Sequence, residues 1–188
     1  MNADSLICRC CLLLLLALPA MAWGAQVVQV QISGLSGESL DNVRASLSLA
    51  RDRQRAGLSP RDIRELYDQA SAQIAIALEP FGYYQPQIET ELQAPESEGG
   101  PWLASFHVDP GMQVPVADMQ LVFDAEGAAD PAFEKITAGL PLQPGQGLDH
   151  RRYEQTKRDV LEQLKSLGYR DASLVVHRVE VDLEPYGA

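Results

Sequence analysis

Residues 67–83 read YDQASAQIAIALEPFGY, and residues 153–169 read YEQTKRDVLEQLKSLGY. The two stretches align without a gap at an offset of 86 residues (153 minus 67). Each carries apolar residues at helical spacing and ends at a Gly-Tyr pair, which stops a helix. The matched pairs are Tyr67 with Tyr153, Gln69 with Gln155, Ile74 with Val160, Leu78 with Leu164, Phe81 with Leu167, and Gly82-Tyr83 with Gly168-Tyr169. We therefore interpret the chain as one structural unit that occurs twice.

The first unit, residues 25–111, is predicted to have the order β-α-α-β-β. Its strands show apolar and polar residues in alternation, and its second helix begins with the capping pattern Ser59-Pro60-Arg61-Asp62. The predicted elements are a strand at 27–32, a helix with its apolar stripe at 40–50, a helix at 59–78, and strands at 84–92 and 102–108. The last two strands are close enough in sequence to form a hairpin. Two helices on one face of a three-stranded sheet make an α+β fold.

The second unit, residues 112–188, follows the same order but lacks its final strand. The predicted elements are a strand at Val116–Phe123, a short helix at Pro131–Leu140, a longer helix capped by Asp149, and a strand at Ala172–Glu184. The last four residues are typical of a turn into a third strand. Without that strand, the long strand loses its hairpin partner and exposes an edge. We infer that the 188 residues are the front of a longer protein, or an incomplete record of one.

The N-terminal 24 residues are predicted to be a cleavable signal peptide. Arg9 precedes the apolar run Leu12–Leu18, and small residues follow Pro19. Cleavage after Ala22 and cleavage after Gly24 both fit. The other interpretation is a retained anchor, but the run is well short of the ~20 residues that a spanning helix needs. All three cysteines lie in this segment, so we expect the mature chain to contain no disulfide and no thiolate.

The charge of the chain is strongly acidic and unevenly distributed. Its net charge of −11 disfavours nucleic acid as a partner, since phosphates need clustered cations. Six arginines nevertheless fall within 21 residues: Arg44, Arg51, Arg53, Arg55, Arg61 and Arg64. Two interpretations remain open for this predicted basic patch. It is either a solvated helical face or a surface that docks an acidic partner or anionic lipid.

The sequence predicts no catalytic, cofactor or metal site. The three histidines, His107, His150 and His177, are scattered and lack the spacing of a zinc site. No Gly-x-Ser-x-Gly elbow or phosphate-binding glycine loop is present. Carboxylate pairs such as Glu89 and Glu91 lie on the outer face of a predicted strand, where nothing apolar would raise a pKa. We therefore expect no enzymatic activity.

The possible binding site that a β-α-α-β-β unit offers is the edge strand of its sheet. Unpaired backbone N–H and C=O groups accept an extended peptide as an added strand. The candidate edge is the first strand of the hairpin, with Tyr84, Gln85, Gln87, Ile88, Glu89 and Thr90. Pro86 and the glutamates equally fit an edge that is protected from pairing. Both interpretations stay open.

Several motifs carry a family resemblance. The repeated β-α-α-β-β unit, with its Gly-Tyr stop before a strand, resembles POTRA domains, the periplasmic modules of the outer-membrane assembly superfamily that includes BamA. More narrowly, the sequence is similar to the TamA family. The similar stretches are Val30–Leu35, Asn42–Leu47, Pro80–Pro86, Val108–Gly111 and Leu167–Tyr169.

The resemblance implies a function that the residues alone do not. It implies the periplasmic part of a translocation and assembly module, which helps autotransporters and other β-barrel proteins insert into the outer membrane. The implied partners are a TamB-like inner-membrane-anchored protein and nascent outer-membrane proteins. Attachment to the membrane would be through a C-terminal β-barrel that is absent from these residues. The alternative is a purely structural spacer that sets the geometry between barrel and partner. No catalytic residue or cofactor is implied.

Overall fold

The computed structural model describes residues 27–52, 58–97, 99–124, 130–184 and 186–187. The predicted signal peptide and both of its cleavage points lie outside these residues, as do Arg53 and Arg55. Helices and a three-stranded sheet are combined in one chain, so the predicted α+β class is confirmed.

The first unit has the predicted β-α-α-β-β order, with each helix divided into two segments. Its elements are β1 (Val28–Ser33), α1 (Gly37–Ser46), α2 (Ser48–Asp52), α3 (Pro60–Asp68), α4 (Ala70–Leu78), a 3-10 turn (Glu79–Phe81), β2 (Gln87–Gln93) and β3 (Trp102–Asp109). Helix α3 begins as predicted. The Ser59 side chain accepts from the Asp62 N–H, and the Asp62 carboxylate accepts from the Ser59 N–H.

The first helix is interrupted at Leu47, whose backbone is extended and whose side chain is fully buried. The interruption is stabilised by a side chain from another helix. The Ser48 N–H donates to Oε1 of Gln73 at 2.8 Å, and Gln73 Nε2 donates to Ser48 Oγ at 3.1 Å. This pair of bonds replaces the backbone partner that a continuous helix would supply. Sequence periodicity gave no sign of the interruption.

Strand β3 is the centre of the sheet, whose order is β1-β3-β2. It runs parallel to β1 and antiparallel to β2, so the predicted hairpin is confirmed. Alternate residues of β3 (Trp102, Ala104, Phe106 and Val108) are buried, and they join the buried residues of all four helical segments in one core. The helices therefore cover one face of the sheet and leave the other face open.

The second unit contains two helices and a short hairpin. Its elements are α5 (Pro131–Ala138), α6 (His150–Ser166), β4 (Asp182–Leu183) and β5 (Tyr186–Gly187). Helix α6 begins at the predicted cap, because the Asp149 side chain accepts from the backbone N–H groups of Arg151 and Arg152. Two small apolar clusters take the place of a single core, one around Phe133 and Val160 and the other around Val114 and Leu148.

The extents that were predicted for the two strands of the second unit were wrong. The stretch Val116–Phe123 forms no strand, and within Ala172–Glu184 only Asp182–Leu183 does. In the first unit β1 and β2 do not touch each other, because each pairs with β3. The described part of the second unit supplies no strand in the position of β3. The two stretches therefore lack a shared partner for their backbone groups. Alternation in the sequence indicates which side of a segment is apolar, but not whether a partner strand is present.

The two units agree along the helix and differ at its end. At the offset of 86 residues, Ile74 and Val160 are 0% and 3% exposed, and Leu78 and Leu164 are 0% and 8% exposed. The residues before the Gly-Tyr stop differ, because Phe81 is buried and Leu167 is about half exposed. Among the described residues, the end of α4 is therefore covered more completely than the end of α6.

Candidate functional site

Strand β2, the candidate peptide-binding strand, lies at one edge of the sheet. Among the described residues it pairs with β3 alone. Four of the six candidate residues lie in it: Gln87, Ile88, Glu89 and Thr90. Ile88 packs against the core, whereas the side chains of Gln87 and Glu89 are exposed on the open face. This geometry offers both an outer backbone edge and accessible side chains for labelling.

The other two candidates, Tyr84 and Gln85, precede β2, because the strand begins at Gln87 rather than at Tyr84 as predicted. Tyr84 packs instead against the second unit. Its Oη lies 2.5 Å from Nε2 of His150, and the two rings meet edge to face with centroids 6.3 Å apart. Pro86, which has no N–H, separates this contact from the strand. Tyr84 therefore belongs to the contact between the units and not to the open edge.

That contact is built around the end of α4. We call it the joint, and define it by Glu38, Phe81, Gly82, Tyr84, Gln113, Leu148, Asp149, His150 and Arg151. The Val114 N–H donates to the Gly82 carbonyl at 2.9 Å, and the Leu148 N–H donates to the Val114 carbonyl at 2.7 Å. Gln113 Nε2 donates to the carbonyls of Phe81 at 2.8 Å and Leu148 at 2.9 Å. One side chain thus joins the first unit to the start of α6.

Two glycines make this close approach possible. Gly82 has a φ of +80°, and a Cβ there would lie 2.2 Å from the Leu148 carbonyl oxygen. Gly147 packs directly against the amide of Gln113, and a Cβ there would lie 2.0 Å from Oε1. A larger residue at Gly82 would push the Leu148 backbone away, whereas one at Gly147 would displace the Gln113 side chain. The Gly of the Gly-Tyr stop therefore has a second role in the first unit, beyond ending the helix.

Arg151 forms the charged contacts of the joint. Its guanidinium donates to Asp149 at 2.7 Å and 3.1 Å and to Glu38 of α1 at 2.5 Å, and it lies 4.2 Å from the centroid of the Phe81 ring. The bonds to Asp149, and then those to Glu38, raise the pKa of Arg151. Burial disfavours the charge of Asp149, but the bonds from Arg151 outweigh it, so the pKa of Asp149 lies below its ordinary value. The pair is charged at neutral pH.

The four described arginines of the predicted basic patch are exposed on α1, α2 and α3. Three of them also have partners. Arg44 lies 4.0 Å from Asp41, Arg51 donates to Ser48 Oγ at 3.1 Å, and the Arg64 guanidinium lies 5.3 Å from the centroid of the Trp102 ring. These contacts leave the arginines accessible. What they bind stays a prediction.

In the part of the chain that the structure describes, no group of three or more His, Cys, Asp or Glu side chains is arranged to hold a metal ion. In the same residues, no helix has the length and apolar character needed to cross a membrane.

Residues 29–110 match a family model described as "POTRA domain TamA domain 1". They form a TamA-like POTRA domain. The match begins in β1 and ends just after β3, so it spans all but the first residue of the three-stranded sheet, together with the helices of the unit. The resemblance inferred from the motifs is thus confirmed for the first unit. POTRA domains of this kind are periplasmic modules of outer-membrane assembly factors. The match covers less than half of the 188-residue chain.

The sequence pointed to the edge of this POTRA domain but not to the joint. Gln113 and Arg151 carry no motif, and they become neighbours of Phe81 only because the chain returns after β3. Gly82 was already assigned as the helix stop, and no sequence feature indicated that the Leu148 backbone would approach it.

Proposed function

We propose that this chain is the periplasmic POTRA region of an outer-membrane assembly factor, and that it helps autotransporters and other β-barrel proteins reach the outer membrane. In this proposal it is a non-catalytic module that follows a signal peptide into the periplasm. It docks a TamB-like inner-membrane-anchored protein and receives nascent outer-membrane proteins as added strands at β2.

The observation that supports the proposal is the position of β2 at the edge of a TamA-like POTRA sheet. A strand at an edge has one row of backbone N–H and C=O groups directed away from the sheet. Main-chain bonding of this kind depends little on the sequence of the guest, which suits a protein that handles many substrates. Glu89 and Glu91 on the open face favour guests with basic residues at the opposing positions.

The test places a photocrosslinking residue at Gln87 or at Glu89 and offers denatured peptides of a barrel protein. Both side chains are exposed beside the edge. The matched control is the same residue at Ala72, which is exposed on α4. We expect crosslinks to the peptides from Gln87 and Glu89, and none above background from Ala72. Equal capture at all three positions would mean nonspecific binding, and capture at none would remove the substrate role.

A second candidate function is the structural spacer, and the joint favours it. Gln113 bonds to both units, and Arg151 bridges Asp149 of the second unit and Glu38 of the first. A joint with this many directed contacts fixes the angle between units, as a spacer between barrel and partner requires. Gln113→Ala distinguishes the two functions. If the chain is a spacer, this substitution impairs assembly in cells while crosslinking at Glu89 remains unchanged.

The predicted basic patch is proposed as the docking surface for a partner. Arg44, Arg51, Arg61 and Arg64 are exposed on helices that lie on the covered face of the sheet, away from its open face. The chain as a whole is acidic, with a net charge of −11. An acidic segment of a TamB-like protein would therefore be attracted to these arginines and repelled by most of the remaining surface. Docking here would leave the edge of β2 free for substrate.

A further inference from the structure

The open face of the three-stranded sheet points away from the helices of the first unit. Its centre is formed by alternate residues of β3, namely Leu103, Ser105, His107 and Asp109, which are exposed or only partly buried. Neighbouring strands lie about 4.8 Å apart, so β1 and β2 are about 10 Å apart across β3. An α-helix is about 10–12 Å wide with its side chains. One helix lying along β3 would therefore cover this face from β1 to β2.

The open face carries negative charge and no Lys or Arg. Its carboxylates are Glu89 and Glu91 on β2 and Asp109 on β3, and none of the three strands contains Lys or Arg. The ion pairs of the described residues involve none of these carboxylates. The helices on the covered face differ, because α1, α2 and α3 mix carboxylates with arginines. A cationic partner would therefore be attracted to the open face without meeting a cation there.

The imidazole of His107 is bonded on the side away from β2. In the register of the sheet, His107 lies between Ser33 of β1 and Glu89 of β2. Its Nδ1 is 3.1 Å from the Ser33 hydroxyl. The side of the face along β2 is thus acidic, whereas the side along β1 contains only uncharged polar residues. Leu103, which is partly exposed, supplies an apolar contact between the two sides.

The spacing of the carboxylates suits a helix that lies along the strands. Alternate residues of a strand are about 7 Å apart, which is the distance from Glu91 to Glu89 along β2. Asp109 lies one step further, because it is paired with Gln87. Residues i and i+4 of a helix lie on one side and are about 6 Å apart along its axis. Lys or Arg at i, i+4 and i+8 would each come close to one of the three carboxylates.

We propose that the open face binds an amphipathic helix of another protein, with its basic side over β2 and its uncharged side over β1. The basic side chains pair with Glu89, Glu91 and Asp109, and an apolar side chain covers Leu103. The helix forms no backbone bond with the sheet, so the site does not depend on whether β2 receives substrate as an added strand. The predicted basic patch lies on the helices of the covered face. The first unit thus binds an acidic and a basic partner on opposite faces.

The experiment uses the full chain with a photocrosslinking residue at Ser105, at Gln31 or at Ala72, which is exposed on α4. The probe is a capped, Ala-based helical peptide of about 16 residues with Lys at i, i+4 and i+8. A second peptide has Glu in place of each Lys. We expect the Lys peptide to crosslink about fivefold more at Ser105 and Gln31 than at Ala72, and the Glu peptide to crosslink at none of them. Gln31 lies on β1, beyond the reach of a peptide added as a strand at β2.

Two pairs of substitutions test whether the carboxylates bind the helix. Glu89→Gln combined with Glu91→Gln removes two charges and keeps the size of both side chains. The matched control, Glu134→Gln combined with Glu162→Gln, removes the same charge from exposed positions of α5 and α6. We expect the first pair to reduce capture of the Lys peptide at Ser105 about fivefold and the control pair to leave it unchanged. Circular dichroism checks that both variants fold.

Three outcomes would overturn the proposal. Equal losses in the two variants would mean that the peptide responds only to the net charge of the chain. Equal capture at Ala72, or equal capture of the Glu peptide, would mean nonspecific binding. Crosslinked dimers of the chain without peptide would mean that a second copy covers the open face. Each of these outcomes leaves the proposed role of β2 standing, because that role is measured with barrel-protein peptides at Gln87 and Glu89.

Discussion

The two units share a helix pattern but differ in their sheets. In the first unit both edge strands are paired with β3, and one core joins strands and helices. In the described part of the second unit the helix stripe is also buried, yet residues 116–124 form no strand. The difference follows from the place of the third strand, which is central in space although it is last in sequence. A unit without it loses both pairings at once.

The largest expected difference between the units is in the free energy of unfolding that is lost when matched core residues are truncated. Leu78 is completely buried in the large core, whereas Leu164 is 8% exposed in a small cluster. We expect Leu78→Ala to lower the free energy of unfolding by about 3–5 kcal/mol and Leu164→Ala by about 2 kcal/mol, because a cavity costs less where its surroundings can relax. Urea unfolding followed by Trp102 fluorescence measures the first, and hydrogen exchange of α6 measures the second.

The exposed valines provide the control for this pair. Val175 is 91% exposed, so Val175→Ala should change stability by less than about 0.5 kcal/mol. Equal losses for Leu78→Ala and Leu164→Ala would contradict the difference between the units. They would indicate that the second unit has a core as well packed as the first.

The sequence predicted the parts of the fold that depend on local pattern. The helix starting at Ser59, the cap at Asp149 and the hairpin of β2 with β3 each follow from residues close together in the chain. The parts that were missed depend on distant partners. The interruption at Leu47 needs Gln73, and the joint needs residues 82, 113 and 148 to meet. The position of β2 at an edge of the sheet agrees with the prediction, and the ligands of that edge and of the basic patch stay predictions.

A smaller difference is expected at the two glycines of the Gly-Tyr stops. Gly82 and Gly168 both have positive φ, at +80° and +103°. An added Cβ would collide with the Leu148 carbonyl at Gly82 but would meet nothing within 4 Å at Gly168. Gly168→Ala should therefore cost only the conformational penalty of about 1–2 kcal/mol. Gly82→Ala should cost about 1–3 kcal/mol more, because the joint must open. Thermal unfolding of the two variants provides the comparison. Equal losses of stability would mean that the joint opens at little energetic cost.

The smallest effect, and the most specific to the joint, is its dependence on pH. Because the pKa of Asp149 is lowered from its ordinary value of 3.8 on folding, its charge stabilises the folded chain above that pH. The stabilisation is lost as the pH falls through the lowered value. Asp149→Asn keeps an oxygen that can cap α6 but removes the charge facing Arg151. We expect this variant to be less stable than the wild type by about 1 kcal/mol at neutral pH, and the difference to shrink as the pH falls below the ordinary pKa of Asp149.

Glu38→Gln separates this effect from a general loss of surface charge. Glu38 also bonds to Arg151, but its side chain is 78% exposed, whereas that of Asp149 is 13% exposed. Solvent screens the exposed pair, so Glu38→Gln should shift the unfolding temperature little at any pH. If the two variants lose the same stability at neutral pH, burial of Asp149 contributes nothing. The charged part of the joint would then be an ordinary surface contact. The angle between the units would be fixed by the contacts of Gln113 and Gly82 alone.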